Sequence, residues 1–165
     1  MRMLIQRLSA GWALAGGVLI IAIMTVTSIN AGAFAIDRLL RYFETNMHGL
    51  PGYEDFVRLT ISCAALMFLP YCQQRRGHVS VDLFVSTMPS RIRNSLDRVW
   101  LIAIALLALF LGYWMIRGMI ETMNDNVLSP ILGWQQWPFY IPGIISLFLW
   151  ALVAAAQSMD TKTNV

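Results

Sequence analysis

Few residues in this 165-residue chain have the type and spacing that chemistry needs. The two histidines, His48 and His78, fall in different polar connections with an apolar run between them. A haem or zinc site needs several ligands converging on one point, and these two are set on opposite sides of whatever that run crosses. No GxxxxGK phosphate loop occurs, so the chain carries no ATP-hydrolysing P-loop, and there is no nucleophile elbow. Cys63 and Cys72 share one apolar stretch and read as packed thiols rather than a disulfide. What remains is charge beside apolar sequence. Arg58 stands four residues after Glu54 and three after Asp55, which on a helix puts at least one acid beside it. Arg117 and Glu121 repeat that spacing. Each group reads either as an ion pair packed on another helix or subunit, or as an arginine snorkelling to a membrane boundary. No catalytic, cofactor or metal residue emerges, and the chain is not expected to be an enzyme.

The elements holding these residues are set by composition. Hydrophobic residues make up 58% without the 11 glycines, and charged residues 13%. Soluble domains carry about 25% charged residues, and a chain this small cannot hide so much apolar surface from water. The reading is an all-α integral membrane protein, one four-helix domain over residues 1–165. A span needs ~20 apolar residues to cross ~30 Å of hydrocarbon. Four stretches qualify, at residues 8–36, 53–72, 99–120 and 139–157. Ala33-Phe34-Ala35 resembles a signal-peptidase site, but the first apolar run far exceeds the ~7–15 residues of a signal core, so it reads as a span.

Lysine and arginine set the orientation. The side shared by both termini and the middle connection holds eight of them and a net charge of +5; the other side holds four and −2. Both termini are therefore expected in the cytoplasm. The overall charge of +3 is scattered at segment ends, which argues against nucleic acid and for lipid headgroups, with Arg75, Arg76, Arg91 and Arg93 as candidates. Between the second and third spans, Val81, Phe84, Val85 and Met88 follow i, i+3, i+4, i+7, with Asp82 in the first turn and Pro89 as the stop. That predicts a short amphipathic helix in the cytoplasmic interface, after which Ser90 can cap a new helix. On the far side, residues 124–137 form a turn-rich loop containing Pro130 and Gly133. Trp134, Trp137 and Tyr140 make an aromatic belt where the fourth span enters. Gly11, Ala15 and Gly16 or Gly17 would let another helix approach closely.

The order of motifs resembles a known family. Glu54 and Arg58 open the second span, and Arg75 or Arg76, Gly77, His78, Val81 and Asp82 follow it; Leu128-Ser129-Pro130 and Trp137-Pro138-Phe139-Tyr140-Ile141-Pro142-Gly143 lead into the fourth. This pattern resembles the DctQ-type small permease subunit of tripartite ATP-independent periplasmic (TRAP) transporters. The resemblance implies a bacterial inner-membrane complex with a large multi-span permease and a periplasmic substrate-binding protein. It also implies uptake of organic acids on an ion gradient, usually sodium, with the small subunit as a stationary brace.

The residues agree in one respect: no ionisable group lies at the centre of the first or fourth span, where transporters place cargo sites. Asp37, Arg38, Arg41 and Glu44 in the first outer loop, with Asn124 and Asp125 in the second, are the candidate docking residues for the binding protein. Two other classes stand as alternatives. A self-contained oligomeric exporter would need a carboxylate in mid-span, and a membrane anchor for a redox complex would need paired histidines on spans.

Overall fold

A computed structural model describes residues 2–40, 50–75 and 90–160. Helix α1 spans Arg2–Leu40, α2 Tyr53–Gln74, α3 Ser90–Asn124 and α4 Tyr140–Asp160, with a 3-10 turn at Trp137–Phe139 leading into α4. Each helix is long and apolar enough to cross a membrane. The expected spans all fall on these helices, the fourth starting one residue early in the 3-10 turn. Two helices overrun their spans. At 1.5 Å per residue the 39-residue α1 is about 58 Å long and the 35-residue α3 about 52 Å, against ~30 Å of hydrocarbon. Neither contains proline, so nothing stops helical hydrogen bonding at the membrane boundary. Helix α3 begins at Ser90, directly after Pro89. The amphipathic segment bearing Val81, Phe84, Val85 and Met88 lies outside the described residues.

Helices α2 and α4 occupy the middle. Helix α1 packs along α2 and only touches α4, while α3 packs along α4, so α1 and α3 lie on opposite flanks. Burial follows that order: 39% of the apolar stretch of α4 is buried, but 11% of that of α1. Lipid gives no hydrophobic drive for helix association, so close contact between small side chains matters more than in water. Ala108 of α3 and Ala154 of α4 are fully buried in a cluster with Ile104, Leu147, Trp150 and Ala151. On the other side, a Cβ on Gly16 would lie 3.0 Å from the Met67 Cβ and 3.4 Å from the Ala64 carbonyl. Of the small residues expected to permit close approach, Gly16 does so; Gly11 and Gly17 face open space and Ala15 is exposed.

Candidate functional site

Polar side chains gather at the two ends of the α2–α4 seam. The first group is built from the residue before α2. Gly52 has φ +82°, a left-handed conformation that L side chains rarely adopt. A Cβ there would also lie 2.5 Å from Leu132 Cδ2, so conformation and packing both require glycine. This entry places Asp55, 4% exposed, in the first turn. Its Oδ2 accepts the backbone N–H groups of Ile131 at 2.7 Å and Leu132 at 2.9 Å.

The receiving loop is ordered by its own hydrogen bonds. The Ser129 amide donates to the Trp134 carbonyl at 2.8 Å, and the Gln136 amide to the Val127 carbonyl at 3.2 Å. The Trp134 amide donates to Ser129 Oγ at 3.0 Å, and Gly133 turns the chain with φ +65°. Two successive amides thus converge on one oxygen, a backbone nest closed on a carboxylate. Nearby, buried Asn30 of α1 accepts the Leu50 amide at 2.9 Å, tying α1 to the entry of α2. An open groove of about 440 Å³ lies alongside, lined mainly by Phe34, Leu50, Pro51, Tyr53, Glu54 and Ile131.

Further along the seam, Cys63 Sγ donates to the Phe139 carbonyl at 2.9 Å. Helix α4 therefore starts level with the eleventh residue of α2, and the loop fills the space beside the first turns of α2. Trp12 of α1 donates through Nε1 to Ser146 Oγ at 2.7 Å, and Ser146 donates to the Pro142 carbonyl of its own helix at 2.8 Å. At the end bearing the termini, buried Gln73 donates through Nε2 to Gln157 Oε1 at 2.9 Å and accepts from Trp150 Nε1 at 3.3 Å. Gln157 Nε2 returns a bond to the Gln73 backbone carbonyl at 3.0 Å. Arg98 Nε donates to the Ser158 carbonyl at 3.2 Å, tying α3 to α4 at this end.

The residues singled out in the sequence fall into several environments. Glu54 and Arg58 are exposed, and among the described residues Arg58 closes no ion pair with Glu54 or Asp55. Asp55 is engaged by fixed backbone amides instead, which cost no side-chain freedom to hold, whereas a long guanidinium does. Arg117 and Glu121 are likewise exposed. Arg75 is exposed, donating through Nε to the Tyr71 hydroxyl at 3.1 Å with its guanidinium 5.4 Å from that ring's centroid. Asp37 is 8% exposed and engaged, while Arg38, Asn124 and Asp125 are exposed. Arg41, Glu44, His48, Arg76, Gly77, His78, Val81 and Asp82 lie outside the described residues, as do the side chains of Arg91 and Arg93 on the first turn of α3. Sequence reasoning missed the amide-binding role of Asp55 and the Gln73–Gln157 and Trp12–Ser146 pairs. The turn residues Pro130 and Gly133 marked the loop, but nothing in the sequence joins it to an acid 76 residues away.

Among the described residues no three His, Cys, Asp or Glu side chains converge to hold a metal. Among the described residues the buried charged ones, Asp37 and Asp55, lie near helix ends. Four helices, each long and apolar enough to cross a membrane and tied to one another by hydrogen bonds, define a multi-pass membrane protein. The family described as "DctQ: Tripartite ATP-independent periplasmic transporters, DctQ component" matches residues 31–162, most of the chain. The chain belongs to that family and is a small subunit of a TRAP transporter. The family is a transporter component rather than an enzyme family, and it works with a large permease and a substrate-binding protein. Neither the curated proteins nor the solved structures hold a match.

Proposed function

We propose that this subunit braces the large permease in the bacterial inner membrane and supplies part of the periplasmic face on which the binding protein docks. One observation carries the reading. Among the described residues the middles of the helices hold no buried charge, while the flanking helices leave broad apolar faces free. Val18, Ile21 and Met24 of α1 and Leu106, Phe110 and Trp114 of α3 are all exposed. Buried hydroxyls within the spans, such as Thr60, are bonded to their own helix. The flanking faces suit a larger membrane partner and lipid.

The charge asymmetry supports cytoplasmic termini. Arg38, Arg41, Glu44, Asn124 and Asp125 then face the periplasm, where rim charges steer a soluble partner mainly by speeding encounter. Asp37, being buried, contributes to that face through its neighbours rather than by contact. Arg75, Arg76, Arg91 and Arg93 lie at the cytoplasmic surface among anionic headgroups. Sodium coupling and an organic-acid cargo follow from the family resemblance.

Reconstitution tests the reading. Proteoliposomes holding this chain alone are expected to take up no cargo. Those holding it with the large permease take up organic acid on a sodium gradient once the loaded binding protein is added. Uptake by this chain alone would overturn the proposal. Charge reversal at Arg38 and Arg41 that left uptake unchanged at every salt concentration would remove their steering role.

A further inference from the structure

We propose that Asp55 is a positioning residue for transport: its carboxylate, closing on the Ile131 and Leu132 amides, holds the α3–α4 loop against α2 in the shape in which the binding protein meets it. The relevance to transport rests on the docking reading above.

Three features converge on this point. The loop is already shaped by its internal bonds between Val127 and Gln136 and between Ser129 and Trp134. Those bonds give the loop a form but no fixed seat. Asp55 supplies the seat, since its Oδ2 takes both amides at the tip of the turn at 2.7 and 2.9 Å. Gly52, bare of a Cβ beneath Leu132, lets the tip come down that far. Both bonds are charge-assisted, so they hold the tip more firmly than bonds between neutral groups would. Meanwhile Leu128, Ile131 and Trp134 remain exposed on the seated loop. A surface fixed before its partner arrives loses less freedom on binding, and the apparent affinity scales with the fraction already in the competent form.

That scaling separates positioning from simple structural support. If the seated fraction falls, more binding protein is needed to reach half-maximal uptake, but the maximal rate is retained. The experiment uses the complete complex in proteoliposomes, titrated with cargo-loaded binding protein, together with hydrogen exchange over the segment containing Ile131 and Leu132. In Asp55→Ala, exchange there should rise by about tenfold or more, the low end for hydrogen bonds to a charged group. The half-saturating concentration of binding protein should rise in step with the fall in the seated fraction, with the maximal rate held. Asp55→Asn keeps a carbonyl acceptor and should show a smaller rise in both.

Gly133→Ala, which strains the turn without touching the carboxylate, should reproduce the shift. Gly133→Asn should not, because asparagine tolerates left-handed backbone. If Asp55→Ala fails to assemble, the Asp55→Asn and Gly133 variants give the same reading. Unchanged exchange would show that Asp55 does not seat the loop and would overturn the proposal. Raised exchange with an unchanged half-saturating concentration, or a fall in maximal rate alone, would reduce Asp55 to a structural residue and equally overturn it. Uptake by the unaltered complex that showed no dependence on the binding protein would remove the docking reading itself.

Discussion

Gln157 holds the end of one helix from the side of another, and replacing it with leucine should weaken the bundle measurably. Helix α2 stops at Gln74, so its last carbonyls have no donor within the helix. Gln157 Nε2 reaches the Gln73 carbonyl at 3.0 Å and the Gln74 carbonyl at 3.4 Å, and Gln157 Oε1 accepts from Gln73 Nε2 at 2.9 Å. Side-chain hydrogen bonds between membrane helices average ~0.6 kcal/mol and reach ~1.7. Losing the two short bonds therefore costs roughly 1–3 kcal/mol, discounting the long one. The upper part of that range is favoured because Gln73 is 3% exposed and its Nε2 is left without Gln157. Replacing both glutamines with leucine should recover about 1 kcal/mol relative to the sum of the single changes, since apolar partners leave less unsatisfied. Reversible unfolding in mixed detergent micelles gives both numbers. A Gln157→Leu chain as stable as the parent, or single effects that add within ~0.3 kcal/mol, would refute a shared network.

Three further outcomes follow from the same contacts. Gly16→Leu should cost ~1–3 kcal/mol by pushing α1 off Met67, whereas Gly17→Leu, facing open space, should be close to neutral in the same assay. In a double-mutant cycle of Trp12→Phe and Ser146→Ala, the 2.7 Å bond should appear as a coupling of ~0.6–1.7 kcal/mol, and an additive pair would mean that α1 is held by α2 alone. Maleimide should modify the half-buried Cys72 well before the buried Cys63, as read by mass spectrometry on single-cysteine variants; equal rates would contradict the packing of Cys63 against Phe139.

The helices were legible because membrane crossing is a one-dimensional property: a run of apolar residues suffices, and each expected span falls on a helix. The charge-free run of residues 8–36 already marked α1 as longer than one crossing needs, but the overrun of α3 was not legible, because lipid sets where apolar sequence ends and helical hydrogen bonding does not stop there. Asp55 shows the limit most clearly. Its spacing from Arg58 left open an ion pair or an arginine snorkelling to the boundary, both local readings, while the bonds made are with amides 76 and 77 residues away. Local spacing cannot weigh a flexible guanidinium against two backbone donors held by a folded loop. Gln73 and Gln157 were passed over for a different reason. Neutral amides disturb no charge count and break no apolar run, so they are visible only when two helices set them face to face. The loop entering α4 was better marked. Within it Trp134 stacks on Phe139 at 6.4 Å between centroids, a partner outside the expected belt of Trp134, Trp137 and Tyr140.

The placement of these polar contacts bears on the proposed bracing role. Helices in lipid gain nothing from hiding apolar surface from each other, so their relative positions are set by close contacts and by hydrogen bonds. Here α1 and α2 form one antiparallel pair and α3 and α4 another, joined chiefly through the α2–α4 seam. Asp55 and its nest close one end of that seam, and Gln73, Gln157 and Trp150 close the other. A joint fixed at two separated points resists rotation as well as sliding, which a single central contact would not. Keeping those fixings at the ends also leaves mid-membrane free of charge, where an ion or acid in transit would be drawn to it. In the proposed bracing role, such a joint would stiffen the large permease without competing for what that permease carries.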